Sequence, residues 1–365
     1  MSSYPGEKTI GTTHMTTDGH LGIGIVGAGD IVRTRHMPNL KAVDDIKIVA
    51  VANRRRATAE VFASEFDVPN VLNDWLSVVQ HPEVDVVWIG TYPNLHAVIS
   101  VAALEAGKHV FCQARMARNV MEAREMLAAA DRRPDLVAAV CPPSVGVLGD
   151  HTMRRLLGTE QFVGTIRQAR MTSFTNTAVV NNDLHWRHNY GISGLNVMNV
   201  GIMVEVLHRW LGPELNVQAM THVHVRKRRE PDTNTYQMVR VPDSFTAIGE
   251  LVSGADYVYQ WSGLAHHEVA SELWLYGDQG TLVYDFDADT IAGAKLDADE
   301  LTPIQIPEEE IYQPNVEADF VAAIRAHSHD TGLAPCFDRA YQYMEFLEAA
   351  ARSARDGCRI GLPLD

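Results

Sequence analysis

The stretch that most constrains this chain is Leu21–Leu40, LGIGIVGAGDIVRTRHMPNL. Its apolar run, Ile23–Gly24–Ile25–Val26, has the composition of a buried parallel strand. The run breaks at Gly27–Ala28–Gly29 and passes into a helix-like segment. Strand, glycine turn and helix, in that order, open a dinucleotide-binding fold. Gly27 permits the tight turn, and Gly29 puts no side chain between a pyrophosphate and the main chain. The helix that follows turns unpaired N–H groups and the positive end of its dipole toward the phosphates, which brings Asp30 and Ile31 into the cofactor-binding set. The third position of the G-x-G-x-x-G/A pattern is Val32, which predicts looser packing of helix on strand. The alternative is a strand-to-helix turn that binds nothing.

A chain of 365 residues has room for two domains, each with its own core. The net charge of −15 argues against a nucleic-acid partner and against an anionic membrane surface, because both need a basic face. One basic cluster, Arg226–Lys227–Arg228–Arg229, is followed by Glu230 and Asp232 and reads as a solvated turn. No apolar run is long enough to span a bilayer. The N-terminus lacks the apolar centre of a signal peptide, and residues 1–20 read as a flexible arm. Cys112, Cys141, Cys336 and Cys358 show no CxxC or CxxxC spacing. They read as thiols in a reducing cytoplasm rather than as a disulfide framework or a zinc site, so the expected location is cytoplasmic and no metal is expected.

Along the chain, Lys47–Ala52 reads as a second parallel strand. At its end, where an NAD-specific domain often places a carboxylate for the ribose hydroxyls, stands Asn53, followed by Arg54, Arg55 and Arg56. A carboxylate there repels a 2′-phosphate; a neutral side chain followed by arginine welcomes one. The expectation is therefore NADP(H) over NAD(H), with the alternative that some of these arginines are only exposed at a helix start. Val84–Gly90 is another buried strand, and Thr91–Tyr92–Pro93–Asn94–Leu95–His96 follows at the carboxyl edge, where open α/β folds bind ligands. Lys108–Cys112 is the next strand, with Gln113–Ala114–Arg115 at its end. Val137–Val140 is a further one. This alternation is the pattern of a doubly wound parallel sheet.

Beyond about residue 145 the strands come in a group with few crossovers, from Thr165–Thr172 to Gly280–Asp285, with helical segments at 199–211 and 316–327. The reading is α/β throughout: a dinucleotide-binding domain over 21–145, then a domain over 146–365 with an open, largely antiparallel sheet and helices on one face. The amphipathic helix over 337–355 is expected to pack back toward the first domain.

With these elements in view, the chain resembles the glucose–fructose oxidoreductase/inositol dehydrogenase (Gfo/Idh/MocA) family. The resemblance rests on GIGIVGAGDIVRTRHMPNL, TYPNLHAVISVAALEAGKHVFC, ARNVMEAREML, the WR and SGLNVMNVG segments, LWLYGDQGTLV, and the closing EAAARSARDG and IGLP. It covers the chain from about residue 21 to the end. It implies NAD(P)-dependent oxidation or reduction of a sugar, polyol or related hydroxylated molecule, and a homo-oligomer, dimer or tetramer, formed through the open sheet. It also implies that His96 approaches the cofactor, the alternative being that it only caps the helix start, and that Trp186 and Arg187 lie near the nicotinamide and substrate; Thr91 and Gln113, at the same carboxyl edge, complete the expected cofactor-binding set.

The departures bear on mechanism. Where the family has Glu-Lys-Pro, this chain has Gln113, Ala114 and Arg115, so the substrate-positioning lysine is absent. Where the family's helix carries Asp, His and Asp, this chain has Asn199, Met203 and Val206, on one helical face and without a proton carrier. Asn199 and Met203 are left as substrate-facing groups. Glu205 lies about 200° around the helix from Met203 and is placed to pair with Arg209. The groups left for chemistry are His185 and His188, which flank Trp186–Arg187 and titrate near neutrality, together with the Tyr92 phenol. The alternative for the histidines is an exposed loop. Arg115 is placed either to bind a carboxylate or oxyanion or to make a salt bridge between the domains. A dehydrogenase or reductase with relocated proton carriers is the first reading. A redox-neutral enzyme such as a lyase, hydratase or glycosidase-like member, or an inactive nucleotide-binding partner, is the second.

Overall fold

The computed structural model describes residues 19–143, 148–267, 270–312 and 315–365, so most of the expected arm over 1–20 lies outside the described residues. Six short strands form a wholly parallel sheet: β1 Leu21–Val26, β2 Ile46–Ala52, β3 Asn70–Val71, β4 Val86–Ile89, β5 His109–Cys112 and β6 Ala138–Val140. Their order is β3-β2-β1-β4-β5-β6, the doubly wound order with its switch point at the carboxyl end of β1. Strands β1, β4, β5 and β6 are buried at every position, which is why they read as continuous apolar runs rather than as alternating ones.

The second sheet has nine strands in the order β16-β15-β14-β13-β7-β12-β11-β8-β17. They are β7 Ile166–Phe174, β8 Glu214–His222, β11 Ser244–Leu251, β12 Asp256–Ser262, β13 Ala270–Gly277, β14 Gly280–Asp285, β15 Thr290–Lys295, β16 Thr302–Ile304 and β17 Ile360–Gly361. Every pairing is antiparallel except β12 with β7. Strands β11 and β12 alternate, with Phe245, Ala247, Tyr259 and Trp261 on the buried face, where the Phe245 and Tyr259 rings meet Phe346 of the helix Phe337–Asp356.

The chain divides into two compact units that interleave in sequence. The first takes the chain up to Gln113, Arg124–Cys141 and Asn315–Phe337; the second takes Ala114–Ala123, Pro142–Pro314 and Asp338–Asp365. The single boundary expected near 145 therefore misses two exchanges. It is Asn315–Phe337 that joins the first unit, whereas the last helix from Asp338 onward belongs to the second. The reason is packing: Val316, Phe320, Val321 and Ile324 enter the same core as Ile23, Val51, Trp88 and Phe111, and Phe320 lies edge-on to Trp88 and Phe111.

The basic cluster at 226–229 is not a solvated turn. Lys227–Glu230 is a strand, β9, paired with β10 Thr235–Met238. Arg228 is buried and donates to the carbonyls of Asn181 (2.6 Å) and Ala178 (2.9 Å). A buried guanidinium needs such acceptors, and the short helical turn Thr177–Val180 and the residue that ends it, Asn181, supply them.

Candidate functional site

In the first unit the ends of β1, β4 and β5 lie side by side and carry Gly27, Thr91 and Gln113 in turn. Gly27 has φ +87°, and a Cβ on it would fall 2.7 Å from the Thr91 nitrogen, so only glycine fits. A Cβ on Gly29 would meet no protein atom within 4 Å, which leaves the space beside the turn open to a ligand. The turn is fixed from below: the Ala28 N–H donates to Asn53 Oδ1 (2.7 Å), and Asn53 Nδ2 donates to Thr58 Oγ1 (3.1 Å). The chain then winds straight into its helix, Arg33 N–H donating to Gly29 O, and widens into a π turn over Val32–His36. Asp30 and Ile31 are exposed at its start.

The looser helix–strand packing expected from Val32 is not found. Val32 is fully buried, because Gly90 at the end of β4 has no side chain where the Val32 Cγ2 sits. The pattern's missing small residue is thus supplied by the neighbouring strand.

Asn53 turns its carbonyl oxygen to the glycine turn, and Arg54 and Arg55 stand exposed beyond it. Arg56 instead starts the helix Arg56–Phe66 and binds Glu60 (2.9 Å) and Asn73 (2.6 Å). Next to Thr91, His96 is buried with its Nε2 3.0 Å from the Thr91 carbonyl, and so ties down the loop before the helix Pro93–Glu105. Tyr92, the residue preceding that helix, is exposed. At the end of β5, Gln113 Nε2 lies against His36 Nε2, and His36 Nδ1 lies against Glu317 Oε1. Asn39 Nδ2 donates to the other Glu317 oxygen (2.9 Å). His36, Asn39 and Glu317 were not singled out in the sequence. His36 and Glu317 are 281 residues apart, and only the return of Asn315–Phe337 to this unit brings them together.

In the second unit, Arg115 is buried and its guanidinium donates to the carbonyls of Met198 (2.7 Å) and Asn196 (3.2 Å). Burial, and then the nearby Arg187 charge, lower it to about 10. Holding the main chain ahead of the helix Val200–Leu211 is a third role, beside the two left open by the sequence. The same stretch is laced further: Asn196 Nδ2 reaches the Ala117 carbonyl (3.2 Å), and Leu195 N–H donates to Arg118 O (2.9 Å).

Trp186–His188 is a single 3₁₀ turn, capped by His185 ahead of it and by His188 at its end. His185 Nδ1 accepts from Arg187 N–H (3.3 Å), and His188 Nδ1 accepts from His185 N–H (3.1 Å). Partial burial, and then the Arg187 charge, lower His185; burial, and then the Arg228 charge, push His188 down to about 4. Two neutral rings result, each accepting at Nδ1 and carrying its proton on Nε2. The Arg187 guanidinium lies 4.3 Å from the centre of the Trp186 indole.

On the helix Val200–Leu211, Met203 and Val206 are buried and Asn199 stands half-buried at the N-terminus, where its side chain makes no capping bond. Glu205 is also buried, 3.4 Å from Arg209, the pairing expected from the helical spacing. Burial raises its carboxyl, against the pull of Arg209. No helix among the described residues is long and apolar enough to cross a membrane.

Residues 21–140 match the profile described as the oxidoreductase family, NAD-binding Rossmann fold. Over those residues the chain is similar to the Gfo/Idh/MocA oxidoreductases. Among its relatives, the trans-1,2-dihydrobenzene-1,2-diol dehydrogenase of Danio rerio is 33% identical over 118 residues, 31% of this chain and 34% of that one. The levoglucosan dehydrogenase of Pseudarthrobacter phenanthrenivorans is 35% identical over 116 residues, 29% of each chain. The chain thus spans about a third of the length of the curated relatives it first matches. The likeness in fold is wider: a levoglucosan dehydrogenase structure in complex with NADH and L-sorbose superposes with a TM-score of 0.82, covering 94% of this chain and 99% of that one at 22% identity.

Proposed function

We propose that this protein is an NAD(P)-dependent oxidoreductase acting on a sugar, polyol or related hydroxylated small molecule. The observation that carries the reading is the glycine turn at the switch point of the parallel sheet, closed from below by Asn53 and open at Gly29. The names of the two dehydrogenase relatives support it. A bound nicotinamide nucleotide supplies the hydride chemistry. The chain's own part is to bind, orient and manage one proton.

In this reading Gly27, Gly29 and the first N–H groups of the helix, at Asp30 and Ile31, take the pyrophosphate. Asn53 holds the turn, and Arg54 meets a 2′-phosphate, which favours NADP(H) over NAD(H). Thr91, His96 and Gln113 line the rest of that edge. Tyr92 offers a phenol O–H there. In the second unit we propose Trp186, Arg187, Asn199 and Met203 as ligand contacts. His185 and His188, with protons on Nε2, serve as hydrogen-bond donors to a substrate carbonyl, in the manner of a neutral imidazole electrophile. Arg115 acts through the main chain of Asn196 and Met198. We place self-association on the outer face of the second sheet, where Met220 and Ile248 are exposed.

One observation favours a second reading, a redox-neutral enzyme or a nucleotide-binding partner. The Nδ1 atoms of His185 and His188 are already engaged, which leaves neither ring a free basic nitrogen. Fluorescence titration with NADPH and NADH, then a screen of hydroxylated substrates for absorbance at the nicotinamide band, separates the two. Saturable binding, tighter for NADPH, with net hydride transfer is the expected result. Binding without net turnover selects the second reading. No binding of either, with mass spectrometry showing that no nucleotide co-purified, overturns both.

A further inference from the structure

We infer that His36 and Glu317 are positioning residues for the nicotinamide nucleotide, acting through Gln113: the pair sets the tautomer of His36, and the tautomer decides which end of the Gln113 carboxamide faces the ligand. The inference rests on reading this edge as a nucleotide site.

The donors and acceptors determine the arrangement. A carboxylate only accepts, so His36 Nδ1, which lies against Glu317 Oε1, carries the proton. The other Glu317 oxygen accepts from Asn39 Nδ2, so both oxygens of the acid are engaged. At the far side of the ring, Nε2 faces the Gln113 amide nitrogen. An amide NH2 only donates, so Nε2 is the acceptor. The chain Gln113 NH2 to His36 to Glu317 is consistent only with a ring bearing its single proton on Nδ1. Gln113 Oε1 is then turned away from His36.

That oxygen belongs to the residue just beyond β5, beside the end of β4 with Thr91 and, one strand further, the end of β1 with Gly27. There it is an acceptor for O–H and N–H donors. A nicotinamide nucleotide offers both, in its ribose hydroxyls and its carboxamide. The pair is buried completely, with the imidazole edge-on to Trp88 and Phe111 and no access to water. A buried acid and imidazole are costly against an apolar filling of the same volume, and holding one tautomer is something an apolar filling cannot do. Without the acid, the ring is free to carry its proton on Nε2. The amide then turns over and presents NH2, a donor, to a ligand that itself donates.

A double-mutant cycle on NADPH dissociation, read by nucleotide fluorescence on the full chain, tests this. Glu317→Gln and Gln113→Ala are made singly and together. Each single variant is expected to weaken binding about tenfold, and the double variant to bind no more weakly than Gln113→Ala alone, because Glu317 acts through Gln113. A Glu317→Gln effect that persists undiminished in the Gln113→Ala background shows a merely structural role and overturns the inference, as does Glu317→Gln with unchanged affinity. Where Glu317→Gln does not fold, His36→Asn takes its place in the cycle with the same outcomes. Wild-type protein that binds neither NADPH nor NADH overturns the nucleotide reading and this inference with it. Wild-type binding with an additive cycle overturns the positioning role alone.

Discussion

Val32 Cγ2 lies 2.4 Å from the point where a side chain on Gly90 would begin, and the Gly27 carbonyl oxygen lies 2.4 Å from the same point. The helix after the glycine turn therefore sits close on the sheet because a residue of another strand makes room for it. Gly90→Ala forces both neighbours to move. The expected cost is about 1–3 kcal/mol, the range for overpacking a filled core. Val32→Ala in the same background is expected to recover only part of the loss, because the Gly27 carbonyl is backbone. Thermal unfolding of the two variants measures this; a Gly90→Ala protein as stable as the wild type refutes the packing argument.

Arg115 anchors the main chain ahead of the helix Val200–Leu211 through the carbonyls of Met198 and Asn196. Arg115→Met keeps the length of the side chain and removes both donors. Hydrogen bonds from a charged group are each worth about 1.5–3 kcal/mol, so unfolding in urea is expected to show a loss of at least about 2 kcal/mol. A loss below about 0.5 kcal/mol, the scale of an ordinary surface change, is the contrary outcome.

Two imidazoles make the protein sensitive to acid. His188 and His109 are each held at about 4, with burial as the largest cause, and His109 Nδ1 accepts the Val137 N–H at 2.9 Å. The unfolded imidazole titrates near 6.5, so between the two values the unfolded chain binds protons that the folded chain refuses. Their contribution is complete above about pH 6.5, is lost as the pH falls toward about 4, and does not change further below that. His208, which burial lowers but Glu214 raises on balance, runs in the opposite direction, so differences between proteins are the cleaner quantity. Melting temperature against pH is expected to fall less steeply over this window in His109→Asn and His188→Asn than in the wild type. Parallel curves would refute the assignment.

Arg54 stands exposed beyond Asn53 with no carboxylate at the end of β2. Arg54→Ala is expected to weaken NADPH by about tenfold, the scale of one charge-assisted hydrogen bond, and to leave NADH within about twofold. Equal losses for both nucleotides would remove Arg54 from cofactor selection.

The sequence alone determined what local chemistry decides. Ile23–Val26 followed by Gly27–Ala28–Gly29 has few alternatives to a buried strand and a tight turn, because a side chain at Gly27 would have to combine a positive φ with the close approach of the Thr91 main chain. The continuous apolar runs specified a parallel sheet with both faces covered, and the spacing of Glu205 and Arg209 specified their pairing. Only the tertiary structure decided what depends on contacts between distant residues. It placed Phe320 and Glu317 in the first unit and gave His36 its acid. It filled the gap behind Val32 with the absence of a side chain at Gly90, and made a buried anchor of Arg228, in a cluster whose composition alone fits a solvated turn. The physical reason is the same in each case: a side chain's charge state and partners follow from what surrounds it, and burial here is assembled from segments that no local pattern connects.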